Sequence, residues 1–246
     1  MKVRVKFAKR GIMKFIGHLD MVRYFQKAFR RAGIDIQYSQ GFSPHQLISF
    51  AAPLGVGLTS EGEYMDIIVN DLLPERMMLD KINNEMAEGI EILSCKQITD
   101  ETKHSNAMSI VVAADYYVSL PESVFTSPIL SRFNDFMAQD SILVMKKSKK
   151  SEKQVDIKPM IHKIDVQKDK IYMLLDTGST SNLKPELIME AFFDYCHICR
   201  QPEDTASCPL MIQRLDMYAN NGKNEQSNSN IGLRLISLDD LGVEIV

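Results

Sequence analysis

Apolar and polar residues alternate at the start of the chain. Val3, Val5 and Phe7 fall on one side and Lys2, Arg4 and Lys6 on the other. This period of two predicts a half-buried strand over 2–8. Over 18–32 the period lengthens to that of a helix. Leu19, Val22, Phe25, Phe29 and Ala32 form the expected buried stripe. Arg23, Lys27, Arg30 and Arg31 follow at i, i+4, i+7 and i+8, which puts them on one exposed face. Gly33 is a natural C-terminal stop. Residues 34–64 are rich in Gly, Pro and Ser, with one short apolar piece at Leu47–Ala51. A strand is predicted over 63–69, a helix from Pro74 to about Glu88, and a strand over 90–98.

The second half repeats the order. A strand is expected over about 107–119 and a helix over about 128–138. Strands follow near 141–146, 155–166 and 170–175. A helix begins at Lys184-Pro185 and runs to Tyr195, and a last strand lies near 209–218. Each half reads β-α-β-β-α-β, so the expected fold is α+β, with two tandem ferredoxin-like halves and a C-terminal extension. The expected domains are 1–100 and 101–218, followed by a linker and tail over 219–246. Residues 219–230 are polar and aperiodic. The last sixteen residues, 231–246, with Ile231, Leu233 and Leu235 alternating, are too few for a core of their own. They either add a strand to the body or dock on a partner.

Composition adds few constraints. The chain has 246 residues, 45% apolar and 25% charged, as in ordinary globular proteins. No apolar run approaches the roughly 20 residues of a membrane helix, and the alternating start is unlike an export signal. Four cysteines make no disulfide framework, so a cytoplasmic location is expected. Charge is more informative. Residues 1–31 carry ten basic side chains (Lys2, Arg4, Lys6, Lys9, Arg10, Lys14, Arg23, Lys27, Arg30, Arg31) and one acid, Asp20. That segment is +9, so the remainder must be −12 to give the net −3. A basic segment on an acidic body is the footprint of a polyanion-binding face, the alternative being a merely solvated surface. A second cluster, Lys146, Lys147, Lys149, Lys150 and Lys153, suits a loop tip.

The stretch from Gly17 to Tyr64 concentrates the candidate chemistry. Gly41, Gly55, Gly57 and Gly62 permit close backbone approach. Ser39, Ser43, Ser49 and Ser60 can donate to phosphate or ribose. Tyr38, Phe42 and Phe50 offer flat faces for bases. His18, Asp20 and His45 are the best set for acid–base work, although His18 and Asp20 also suit a helix start. Glu61 and Glu63 share a strand face, either as a carboxylate pair or as a hydrated hairpin mouth or partners for the basic helix. Cys196-His197-Ile198-Cys199 with Cys208 lacks the two separated ligand pairs of a structural zinc site, and the C-x-x-x-C-x-x-C spacing of a radical SAM cluster is absent. Asp176-Thr177-Gly178-Ser179 reads as a turn after a strand rather than half of a protease dyad. Phosphate-loop and dinucleotide motifs do not occur. The chain calls for no cofactor and no metal.

GHLD, the following R-x-x-x-x-A-x-R-R-A-G helix, YSQGFSPH, ISFA-x-PL and SEGEY-x-D together resemble the radical-SAM-linked protein family. The motifs are dense over residues 1–69, and VDIKP at 155–159 and NLKP at 182–185 fit more loosely. That family is a domain of unknown function, found alone or fused C-terminal to radical SAM enzymes. The resemblance implies an accessory role beside a radical SAM protein, in RNA modification or processing. It supplies no established reaction and no proven catalytic residue.

Three readings follow. In the first, the chain is a non-catalytic RNA-binding module for tRNA or rRNA. Lys9, Arg10, Lys14, Arg23, Lys27, Arg30 and Arg31 contact phosphates, while Tyr38 and Ser43 on the 38–50 loop meet bases or ribose. In the second, it is an RNA-acting enzyme using His18, Asp20 and His45. In the third, it is a protein-only adaptor that docks through its tail.

Overall fold

A computed structural model of the chain describes residues 1–99, 105–119, 127–147, 152–167, 169–197, 210–221 and 234–246. The elements in chain order are β1 (Lys2–Lys9), a 3₁₀ turn (Gly11–Phe15), α1 (His18–Arg31), β2 (Ile48–Phe50), β3 (Thr59–Ile68), α2 (Glu75–Asn83) and β4 (Ile90–Ile98). They continue with α3 (Ala107–Ile110), β5 (Val111–Ser119), α4 (Ser127–Met137), β6 (Leu143–Lys147), β7 (Glu152–Asp156) and a 3₁₀ turn (Lys158–Met160). The last are β8 (Ile161–Val166), β9 (Lys170–Asp176), α5 (Pro185–Tyr195), β10 (Met211–Asn220), β11 (Leu235–Ser237) and a 3₁₀ turn (Asp239–Leu241). This is a mixed α+β fold whose strands pair antiparallel wherever their register is defined.

The chain divides into two compact units, and they are not consecutive. The first joins Met1–Ala114 to Arg214–Val246, and the second is Asp115–Gln213. The expected boundaries near 100 and 218 differ because pairing, not composition, groups the strands. In the first unit β1 lies between β4 and β3, with Lys2 opposite Ile68 and Ile98. β2 pairs with the later part of β3, β10 also follows β3, and β11 pairs with β10. α1 and α2 supply Phe25, Phe29, Met78 and Ile82 to a core with Val3, Val5, Phe7, Met65 and Ile67. The Phe25 ring meets Phe7 edge-on at 4.9 Å and stacks on Phe29 at 5.7 Å.

Two sequence expectations change here. β1 is not half-buried: Lys2 and Arg4 are as buried as Val3 and Val5. The chain packs over the polar face as well, and Arg4 donates to the backbone oxygens of Leu238 and Ser105. The stripe of α1 is also rotated. Met21, Phe25, Ala28 and Phe29 are buried, and Leu19 is exposed.

The tail belongs to the first unit. Tyr218 pairs with Ser237, Val243 bridges Gln97, and Ile245 is buried in the core. Residues 222–233, which hold most of the polar linker together with Ile231 and Leu233, lie outside the described residues.

The second unit has strands in the order β5-β9-β8, a separate β6–β7 hairpin, and α4 packed on α5. Phe133, Phe136 and Phe192 form its aromatic centre, with Phe133 and Phe192 at 4.5 Å. Arg132 donates to the carbonyls of Tyr195 and Cys196, satisfying the open C-terminus of α5. The strand expected over 155–166 is two strands. Pro159 has no N–H to give a ladder, and a 3₁₀ turn separates β7 from β8 there.

Candidate nucleic-acid interface

Half of the basic segment, Lys2, Arg4, Lys6, Lys9 and Arg10, is consumed inside the first unit. Arg4 makes a bidentate pair with Asp66, both side chains being nearly fully buried. Lys6 pairs with Asp216, and Arg10 is held by both Glu61 and Glu91. Those two carboxylates push the Arg10 pKa still higher than an arginine's usual value. Lys9 is a correction to the predicted phosphate track. It is buried, it donates to the Ile16 carbonyl, and desolvation lowers its pKa although Glu63 opposes that. Arg10 sits on the surface but its guanidinium is committed. What stays outside is Lys14, which lies over the Phe15 ring, and the α1 face.

On α1, Arg23 meets Asp20 at 3.3 Å and Arg31 meets Glu85 at 2.7 Å. Both pairs are solvated and contribute little, so a phosphate can replace either carboxylate. Among the described residues Lys27 and Arg30 have no carboxylate partner; the Arg30 Nε donates to the Gln26 carbonyl. The four side chains are exposed as the helical spacing predicts.

The segment YSQGFSPH builds a small hairpin. Tyr38 bridges Gln46, and the Ser39 amide donates to the His45 carbonyl at 2.8 Å. Ser39 Oγ accepts from the His45 amide at 3.1 Å and lies 2.9 Å from its Nδ1. Between these clamps Gly41 takes a φ of +113°, a conformation that favours glycine. The tip carries Phe42, whose side chain is fully exposed, beside exposed Ser43; Tyr38 at the base is exposed as well.

The hairpin and the cationic end of α1 meet at one end of the sheet. α1 starts after the Lys9 end of β1 and runs back, so Arg30 and Arg31 return to the Lys2 end. The Ile34 amide then bonds Phe29, and Ile36 bridges Val69. The hairpin root is tied there too, through Gln37 N to Ile68 O and Ile68 N to Leu47 O.

His18, Asp20 and His45 do not form a constellation. Among the described residues no hydrogen bond or ion pair joins any two of them. His45 is spent on Ser39 and Asp20 on Arg23, while the His18 ring packs edge-on against Phe50 at 5.3 Å. His18 instead shares a cavity of about 20 Å³, the space of one water, with Lys9, Glu63, Phe50 and Leu54.

SEGEY-x-D is likewise accounted for by packing. Ser60 Oγ accepts from the Gly62 amide, and Glu61 holds Arg10. Glu63 pairs with buried Arg214 at 2.8 Å. Tyr64 donates to Asp216, its ionisation pushed well up by burial. Gly62 is required because a Cβ would stand 2.4 Å from the Leu215 carbonyl oxygen. Arg214 and Asp216 were missed as partners because nothing near them in sequence points to Glu63 or Tyr64.

The chain matches, over residues 2–185, the sequence model of a family described as an uncharacterised protein conserved in bacteria (DUF2344). It belongs to that family. The DUF2344 match spans the hairpin, α1 and both loosely fitting motifs, and it ends at the first residue of α5. No curated protein matches the chain.

The remaining candidates of this DUF2344 chain lie in the second unit. Asp176 binds His162 Nε2 at 2.7 Å and accepts from Ser181 Oγ at 2.6 Å, so the D-T-G carboxylate is a structural clasp. Cys196 is buried at the end of α5, and His197 takes a left-handed φ of 54° just beyond it. Cys199 and Cys208, as well as Lys149 and Lys150, lie outside the described residues. Among the described residues no helix is long and apolar enough to cross a membrane.

Proposed function

We propose that this chain is a non-catalytic RNA-binding module that presents RNA to a radical SAM partner. The observation that carries the RNA reading is the clamped hairpin with Phe42 fully exposed at its tip, at the sheet end reached by the cationic face of α1. Exposing a phenylalanine costs about 1.5–3 kcal/mol relative to burying it. A hairpin tied by hydrogen bonds between Ser39 and His45 holds that side chain out for a flat partner such as a base. Arg23, Lys27, Arg30 and Arg31 supply phosphate contacts alongside. The radical SAM partner rests on the motif resemblance over residues 1–69. A ferredoxin-like reading of the fold accompanies it, supported in the first unit by the antiparallel order β4-β1-β3-β2 with α1 and α2 as crossovers. In the second unit it is supported by the sequence β5-α4-β8-β9-α5 once the β6–β7 hairpin is set aside as an insertion.

The test is fluorescence anisotropy with total tRNA and ribosomal RNA fragments across a salt series. The full chain is compared with Arg30→Ala/Arg31→Ala. Binding should weaken with salt, and the log–log slope should be shallower by roughly 1–2 in the variant, at about 0.7–0.9 for each phosphate no longer neutralised. Equal slopes, or no binding at low salt, would reject the surface.

A further inference from the structure

At the other end of α1 the chain exposes an apolar ridge that the RNA reading does not use. Ile12 is 79% exposed, Phe15 63% and Leu19 71%. Ile12 and Phe15 stand three apart on a 3₁₀ turn, where such residues eclipse, so they share a side. Leu19 follows in the first turn of α1. Val56, 60% exposed, is brought to the same turn by the Gly57 amide, which donates to the Lys14 carbonyl at 2.8 Å. Four large apolar side chains gathered around one turn exceed the single scattered residues expected of a surface without a partner.

Ile12 also borders an open groove of about 740 Å³, whose floor includes Met86, Gly89 and Ile90. Ridge and groove therefore adjoin on one face. Their charges are opposite. Lys14 on the ridge has no carboxylate partner among the described residues, and neither does Glu88 in the groove have a basic one; Glu91 is already neutralised by Arg10. A convex apolar ridge bearing an unmatched cation, next to a concave groove bearing an unmatched anion, is self-complementary. That is the requirement of an isologous interface.

We propose that this face pairs with a second copy of the chain about a two-fold axis. The Ile12–Phe15–Leu19 ridge of each protomer fills the groove of the other, and Lys14 faces the partner's Glu88. The aliphatic Ile12 and Leu19 offer no flat face to a base, and the unmatched Glu88 carboxylate repels an anionic membrane, so a protein surface is the fitting occupant. The two tests are separable, because the hairpin and the Arg30–Arg31 end of α1 lie at the opposite end of the sheet; of the proposed phosphate contacts, Arg23 stands one turn from Leu19 and borders the ridge.

The experiment is sedimentation velocity of the full chain over a concentration series, without RNA. A reversible dimer is expected, and Phe15→Glu should be monomeric with an unchanged circular dichroism spectrum. Lys14→Glu and Glu88→Lys should each weaken the dimer about tenfold or more, and the double exchange should recover most of it. A chain that stays monomeric throughout, a dimer indifferent to Phe15→Glu, or a charge exchange without recovery would each overturn the proposal.

Discussion

Asp66 illustrates how much a single side chain holds. It takes two guanidinium donors of Arg4 and the backbone amide of Ala107, with the Arg4 and Asp66 side chains 1% and 4% exposed. Asp66→Ala leaves the buried Arg4 guanidinium without its carboxylate and should cost about 3–5 kcal/mol in urea unfolding, whereas Arg4→Met/Asp66→Leu should recover most of that. Titration follows from the same burial. Burial first, and Asp115 second, raise Tyr172 to about 12, and burial raises Tyr64 and Cys95 beyond their ordinary values. In all three the folded chain favours the protonated form, so their stabilisation is present below the unfolded values and is lost as pH rises above them. Lys9, lowered by burial, acts in the opposite direction. Melting temperature should therefore fall between about pH 9 and 11, and Tyr172→Phe should flatten that fall. An unchanged slope would mean that Tyr172 titrates as an exposed phenol.

At the scale of elements the hairpin is the clearest case. Its Gly, Pro and Ser content marks a turn, but sequence did not reveal that Ser39 and His45 clamp each other, which removes His45 from the acid–base set. Phe42→Ala should lower RNA affinity about 5- to 150-fold, at about 1–3 kcal/mol per stacked base, with no change in melting temperature. Equal affinity in a filter-binding assay at fixed salt would remove stacking from the proposal. β1 and α1 were legible as elements because their periods of two and 3.6 are local properties of the chain. Their exposure was not legible. Leu19 fits the predicted stripe by spacing, yet it is exposed, because α1 turns Met21, Phe25, Ala28 and Phe29 to the core instead. Lys9 looks solvated by type, yet it lies under the Ile16 carbonyl and beside Glu63.

For the whole molecule, the returning tail decides the most. Leu238 is fully buried, Ile245 lies in the core, and the Ile245 carbonyl accepts from the Glu75 amide at the start of α2. Ending the chain at residue 233 removes both buried side chains. At about 1.5–3 kcal/mol each, the loss of stability should be about 3–6 kcal/mol, read from the urea midpoint. A midpoint unchanged by truncation would mean that the tail is dispensable to the fold.

By itself the sequence determined the α+β class, the position of most elements, the exposed cationic face of α1 and the absence of phosphate-loop and dinucleotide motifs. Each of these follows from residue type and near-neighbour spacing. Only the tertiary structure decided which charges remain available. Of the basic residues before Gly33, Arg4, Lys6 and Arg10 are matched by Asp66, Asp216, Glu61 and Glu91. Those carboxylates stand fifty or more positions away, so the +9 of the segment never appears as a +9 surface. A charge count is additive along the chain. Ion pairing and burial depend on where the sheet brings distant strands together, and no local pattern encodes that.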